Sequence, residues 1–562
     1  MIRTFCQNEI REVRDLSGSG WVFSPQDGEH QGEQFPVVVP CCWESLPQFP
    51  AYRGVGRFAK HFSGSGTVRL VFQGVSHTAD VYVDGVKAGT HYNAFTPFDV
   101  IVRDLPEGEH LLEVDADNRF SEASALHIPN DYMSYGGISR GVQLEYLEDA
   151  YISYLHCVTE KAPDGSWGIR LSVCIVNLSD RPFTGQVCIE VKNLAAVCCL
   201  EINIPAGEQR VAEGKIEGLR PGIWSPENPV LYEIGATLWQ DDTAVDDLIE
   251  RIGFRTFAVS GRDLLLNGKK LRIKGFCRHE DHPMFGCALP PEAIQQDLEI
   301  IKDLGANAIR CTHYPNDQIF LDLCDEQGIL VWEENHARGL TEEHMRNPNF
   351  EPQAEQCIEE MIRAHFNHPC ILIWGILNEC ASETEYGYEC YKKQYELIRK
   401  LDPSRPRSSA SCKFMTDICL GLPDIVSYNL YPEWYVEKST QEWLDENYNW
   451  VQEKSEGAGK PFLVTEIGAG AIYGYRTPTI CKWSEEYQAQ ALSNQIRAVL
   501  GKKECSGIFI WQYCDCRISF EWFASRPRTM NNKGVVDEFR RPKLSYQVVK
   551  ELYRSYGNYC DD

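Results

Sequence analysis

The sequence lacks any apolar run of membrane-spanning length, since such a span needs eighteen or more consecutive apolar residues. Its opening residues, "MIRTFCQNEIREVRDL", hold no apolar core of signal-peptide length. It also lacks basic excess: 81 acidic residues face 55 Lys and Arg, a formal net charge of −26. A surface that acidic repels nucleic acid and anionic lipid, so no nucleic-acid or membrane partner is expected. An anionic substrate would need a local cation to overcome the global field. The 23 cysteines are too few and too scattered among 562 residues for a disulfide scaffold, and most fall within apolar strands. A reducing cytoplasm with no disulfides is the expectation.

Two cofactor signatures are also missing. "GAGAIYG" follows a strand, but its glycines at 468, 470 and 474 miss the dinucleotide spacing by one. His279-Glu280-Asp281-His282 lacks the order of a zinc helix and a third ligand, and Cys514-Asp515-Cys516 has no partner pair. No metal and no cofactor are expected.

What is present is a soluble-protein composition, 43% hydrophobic and 24% charged, in a chain too long for one core. Residues 1 to about 255 read as β structure. "TVRLVFQGVSHTADVYVDGVKAG" alternates apolar and polar residues around an Asp84-Gly85 hairpin, and "WGIRLSVCIVNLSD" and "GQVCIEVKN" continue the pattern. Two sandwiches fit this length, with boundaries at 1–149 and 150–257. After an Asn267-Gly268 hairpin, short apolar runs alternate with helical stretches. "LRIKGF", "ANAIR", "ILVWEE", "CILIWGIL", "RPRSSA", "DIVSYN", "PFLVTE" and "GIFIWQY" make eight strand candidates. Eight β/α units in residues 258–562 predict a (β/α)₈ barrel, with a doubly wound open sheet as the alternative.

Two of these strands run into acids. "CILIWGILNEC" ends on Asn378 and Glu379, and "PFLVTEIGAG" on Glu466. At the ends of strands four and seven of a barrel, both carboxylates would face one mouth. One strand-end Glu is more often a helix cap or an ion-pair partner. Two, the first preceded by Asn, suit glycoside hydrolysis: one carboxyl protonates the leaving oxygen and the other attacks the anomeric carbon. Asn378 could then hydrogen-bond the sugar 2-hydroxyl.

"WGILNE" and "VTEIGA" resemble the acid/base and nucleophile motifs of glycoside hydrolase family 2. "WVFSPQ", "YRGVGRF", "YVDGVKAG" and "YGGISRGVQL" resemble its jelly-roll-like sugar-binding sandwich. "NPVLYEI" and "RIGFRTF" resemble the close of its immunoglobulin-like domain, and "GFCRHEDHP" and "GANAIRCTHYP" the opening of its barrel. The resemblance covers the whole chain and implies retaining hydrolysis of β-glycosides, with Glu379 as acid/base and Glu466 as nucleophile. "RTMNNKGVVDEFRRPKLSY" matches the β-glucuronidase branch, in which Asn531 and Lys533 would grip the sugar carboxylate. An ammonium and an amide suit an acid sugar, whereas a hexose hydroxymethyl needs no cation. Arg526 and Arg528 are near enough in sequence to add charge.

The resemblance further implies sugar contacts by Asp131, His279, Tyr431, Tyr435 and Trp511. Leu430, Pro432 and Glu433 depart from the family pattern around those tyrosines. β-Glucuronidase activity is the expected function. A β-galacturonidase or dual uronidase, another β-glycosidase such as a β-galactosidase, and a carbohydrate-binding protein on a dead scaffold are the alternatives. Expected substrates are glucuronide-conjugated small molecules or uronic-acid-containing oligosaccharides, and a homo-oligomer is expected. The short connection between "WEENHARGL" and "FNHP" predicts an open side for bulky or oligosaccharide leaving groups.

Overall fold

The computed structural model describes residues 2–560, apart from the side chain of Phe523. The chain begins in an eight-stranded antiparallel sheet with two long paired strands, Val55–Phe72 and Phe98–Asp117. Strand Thr78–Val83 shows why it folds so: Ala79, Val81 and Val83 turn into the core while the intervening residues stay half-exposed. Asp84 and Gly85, at φ 50° and 75°, supply the paired left-handed conformations of a two-residue hairpin.

A second unit packs a three-stranded sheet, from Ala150–Lys161 to Gln209–Leu219, against a four-stranded one holding Phe183–Val191 and Tyr232–Gln240. Here the expectation of no disulfides fails. Cys188 and Cys199 are bonded to each other. Alternation along Phe183–Val191 turns Val187 and Ile189 inward and Cys188 outward, and the pairing register sets Cys199 directly opposite. An eleven-residue separation does not reveal that register; the paired sheet does.

A small sheet turning on Asn267 and Gly268 leads into a closed parallel barrel. Its strands are Ile273–Arg278, Ala308–Cys311, Leu330–Glu334, Ile371–Ile376, Arg407–Ser411, Val426–Asn429, Phe462–Ile467 and Cys505–Ile510. These are the eight candidates read from the sequence, in that order. Seven of the eight are buried along their whole length, as parallel strands covered by helices must be. No described helix is long and apolar enough to cross a membrane.

The first sandwich is bolted to the barrel mouth. Arg140, buried, donates to the Phe95 carbonyl at 2.7 Å on its own side. Across the junction it donates to Glu280 at 2.8 Å and to the Pro315 carbonyl at 2.7 Å. Glu280 follows the first barrel strand, so this guanidinium is one of the ties between the sandwich and the barrel, alongside Tyr135 on Asp281 and Thr96 on Glu360. Arg140→Ala leaves a buried carboxylate unpaired, a change that costs about 3–5 kcal/mol. The first unfolding transition of this variant in urea is expected at clearly lower denaturant than in wild type.

Candidate active site

Past Ile376 the chain leaves the fourth barrel strand in a tight curl, with Leu377 at φ 47° and Glu379 at φ 55°. Non-glycine residues avoid that region, so the curl costs energy and must be held. Tyr391 donates to the Leu377 carbonyl at 2.9 Å, Asn378 N–H to Ala337 at 3.0 Å, and Glu379 N–H to Ala410 at 2.9 Å. The result presents the Glu379 carboxyl, half-buried, to a cavity of about 350 Å³ at the carboxyl end of the barrel. Glu466, on the seventh strand and buried, lines the same cavity.

Glu466 receives two donors. Arg310 Nη1 lies 2.9 Å from Oε1, and Tyr431 Oη donates to Oε2 at 2.7 Å. Burial pushes the carboxyl up to about 7, and Glu379 adds repulsion; the Arg310 charge and the Tyr431 hydrogen bond oppose the rise. Arg310, on the second strand and wholly buried, also donates to Glu334 at 3.0 Å through each of two nitrogens and to Asn378 Oδ1 at 2.8 Å. Asn429, closing the sixth strand, donates to Asn378 Oδ1 at 3.1 Å and to Glu379 Oε1 at 3.0 Å. These bonds occupy the Asn378 oxygen and leave its buried Nδ2 with no protein partner among the described residues.

Beside the glutamates stands a cluster of cations. Asp131, from a loop of the first sandwich, pairs with Arg338 at 3.2 Å and Arg526 at 3.3 Å, and Asn531 Nδ2 approaches it at 3.3 Å. Burial alone would raise the Asp131 carboxyl, but Arg338, Lys533 and Arg526 together hold it well below the usual carboxylate range. Lys533, buried, has its ammonium 5.2 Å from the Tyr435 ring centroid, 5.9 Å from Tyr431 and 6.0 Å from Trp434. Among the described residues it has no carboxylate ion-pair partner.

Of the residues singled out in the sequence, Asp131, Glu379, Tyr431, Tyr435, Glu466, Trp511 and Lys533 line the cavity. Asn378 and Asn531 stand one contact away, bonded to residues around it. His279 packs edge-on against Trp511 at 5.4 Å and bonds Tyr314 at 3.2 Å, and it does not line the cavity. Arg526 turns inward, whereas Arg528 pairs with Glu538 at 2.5 Å. The run His279 to His282 does not converge on a point: Glu280 faces Arg140, Asp281 accepts from Tyr135, and His282 accepts from Met284 N–H.

Where the tyrosine segment departs from the family pattern, support comes from other contacts. Leu430 is buried and its N–H bonds the Glu466 carbonyl at 2.7 Å. The Pro432 carbonyl accepts from Gln495, and Glu433 is held by Thr440, Asn494 and Tyr487.

Sequence reasoning missed Arg310, Asn429 and Arg338. A charge within the buried strand "AIRC" and an amide closing "VSYN" were legible signals of the kind that flagged Glu379. Arg338 sits in an irregular loop and gave none.

Comparison with known proteins identifies the family. Residues 257–557 match the model for glycosyl hydrolases family 2, TIM barrel domain, and 150–255 match a second model of that family. A crystal structure of an Eisenbergiella tayi β-galacturonidase bound to galacturonate is 58% identical with TM-score 0.97, covering all of both chains. A Streptococcus agalactiae β-glucuronidase is 26% identical over 97% of each chain. A Thermoanaerobacter pseudethanolicus β-galactosidase is 32% identical over 73% of this chain. The chain spans 56% of the length of that β-galactosidase and 66% of a Formosa agariphila relative. A barrel model covering more than half of the chain, with the sandwich model before it, establishes that this protein belongs to glycosyl hydrolases family 2.

Proposed function

We propose that this protein is a retaining β-uronidase, acting on β-D-galacturonides ahead of β-D-glucuronides. The observation that carries the reading is the buried ammonium of Lys533, which acts on Asp131 at longer range but has no described carboxylate within ion-pair distance, in one cavity with Glu379 and Glu466. A substrate carboxylate would satisfy it, with Asn531 as the neighbouring amide. The order of the two uronides is supported by the likeness to the Eisenbergiella enzyme, far stronger than that to the glucuronidases.

In the proposed reaction Glu379 gives its proton to the glycosidic oxygen while ionised Glu466 attacks the anomeric carbon. The C–O bond breaks, the alcohol leaves, and the sugar is held as an ester of Glu466. Water then attacks that carbon, giving a proton back to Glu379 and releasing Glu466. Glu379 is the more exposed of the two, which suits a group that must meet leaving group and water in turn. The orphan Nδ2 of Asn378 is a donor for the 2-hydroxyl. With 21 cysteines left as free thiols, a cytoplasmic setting fits.

The direct test compares kcat/KM for matched aryl β-galacturonide, β-glucuronide and β-galactoside. Galacturonide first and glucuronide second is expected. A galactoside turned over faster than either uronide overturns the reading.

Lys533→Ala should cut kcat/KM on the preferred uronide by roughly one to two orders of magnitude. That is the equivalent of a charge-assisted hydrogen bond of about 1.5–3 kcal/mol. Any trace activity on the neutral galactoside should not fall with it, because a hydroxymethyl group makes no ion pair.

The third expectation concerns pH. Attack requires Glu466 ionised, so kcat/KM should decline on the acid side as pH falls through about 7. The Tyr431 hydrogen bond lowers the Glu466 pKa, so removing it raises that pKa. Tyr431→Phe should therefore move the acid limb of the pH–rate profile to higher pH and reduce the rate at neutrality. A limb that stays in place would show that the tyrosine does not hold the charge.

A further inference from the structure

The two sides of the cavity differ in chemistry. Asp131, Arg338, Arg526 and Lys533 make one side strongly polar, and Cys412, Phe414 and Val436 make another apolar. The apolar side adjoins Glu379 through the fifth strand, while Arg338 of the polar side stands 3.6 Å from the same carboxylate. The Glu379 N–H bonds the carbonyl of Ala410, two residues before Cys412. The acid that protonates a leaving oxygen must lie on the leaving-group side of the sugar, so Cys412, Phe414 and Val436 stand where the aglycone would sit.

This wall is built rather than incidental. Phe414 has φ 47°, a conformation that a bulky side chain rarely adopts, in a one-turn helix after the fifth barrel strand. Tyr428 Oη donates to its carbonyl at 2.9 Å, and its ring packs edge-on against Trp443 at 5.0 Å. Asp417 ties the far end of the turn to Ser382 at 2.7 Å and to Ser411. Lys413, the cation in the turn, is drawn off to Glu383 at 3.0 Å. Met415 and Ile418, 39% and 45% exposed, follow on the same segment but do not line the cavity. Apolar side chains lining a cavity that also holds a few polar groups mark a binding surface.

We infer that Phe414, Cys412 and Val436 form an aglycone subsite for an aromatic or otherwise apolar alcohol, so that the substrates are uronide conjugates of small apolar molecules rather than uronosyl oligosaccharides. The inference rests on the uronidase reading above, narrows its substrate class, and departs from the bulky or oligosaccharide leaving groups expected from the sequence, because Phe414 and Val436 line the cavity. A sugar in the leaving position presents hydroxyls that need partners, and these three side chains offer none but a thiol. An aromatic ring would lose nothing by desolvation there and would gain contact with the Phe414 face.

The experiment measures kcat/KM of wild type and Phe414→Ala on three substrates of the uronic acid that the enzyme prefers: phenyl β-uronide, methyl β-uronide and a β-uronosyl-glucose disaccharide. Comparing variant with wild type on each substrate cancels the intrinsic reactivity of the leaving group. The phenyl-to-methyl and phenyl-to-disaccharide ratios should each fall roughly threefold to tenfold, the size of effect that one aromatic contact carries. Val436→Ala should lower the same ratios in the same direction, and it supplies the answer if Phe414→Ala does not fold. Ratios unchanged in the folded variant, or a larger fall on the disaccharide, overturn the subsite. Turnover of none of the three uronides by wild type overturns the uronidase reading itself, and the inference with it.

Discussion

A single buried cation, Arg310, organises the barrel mouth. A guanidinium taken wholly out of water is costly unless every donor finds an acceptor, and Arg310 finds them in Glu334, Glu466, Asn378 and the Thr465 carbonyl. Each of those bonds also fixes a partner. Glu466 is oriented with one oxygen on Arg310 and the other on Tyr431, and the Asn378 amide is turned so that its NH₂ is left over. Charge balance and geometry are therefore one problem, solved once at the second barrel strand. The same low-polarity setting that strengthens these bonds raises the Glu466 pKa, so the proposed nucleophile is held close to its ionisation point.

The second constraint is that the site is shared between units. Asp131 belongs to the first sandwich, yet its ion pairs are with Arg338 and Arg526 of the barrel. Arg140 helps to tie the sandwich to the barrel through Glu280 and Pro315, and the Asp131 pairs hold the loop at the cavity itself. Arg338 also lies 3.6 Å from Glu379, so a residue from a loop, an acid from another unit and the proposed proton donor sit in one electrostatic network. Against a net charge of −26, this concentration of Arg and Lys supplies the local positive field that an anionic sugar needs.

Much of this was legible beforehand. Parallel barrel strands are covered on both faces, so they read as short apolar runs, and all eight could be counted. A strand that is apolar throughout and then stops on Asn-Glu or on Glu is conspicuous for the same reason, and that is how Glu379 and Glu466 were found. Lys533 was found through the resemblance of its segment to the β-glucuronidase branch, and a cation beside an amide suits an acid sugar. Local chemistry along a few residues carried the readings of the strands and the two acids.

The sequence by itself determined the element order, the barrel, the acids at its fourth and seventh strands and the Asn531-Asn532-Lys533 run proposed to bind a carboxylate, because each is written in a contiguous stretch. Only the tertiary structure decided which side chains from distant stretches meet. It paired Asp131 with Arg338 across 207 residues, set Arg310 between Glu334 and Glu466, turned Arg526 into the cavity and Arg528 away from it, and bonded Cys188 to Cys199 through a strand register that spacing does not encode. Burial and orientation are properties of the packed whole. A charge in a strand announces that it must be satisfied, but which partner satisfies it depends on where the barrel closes.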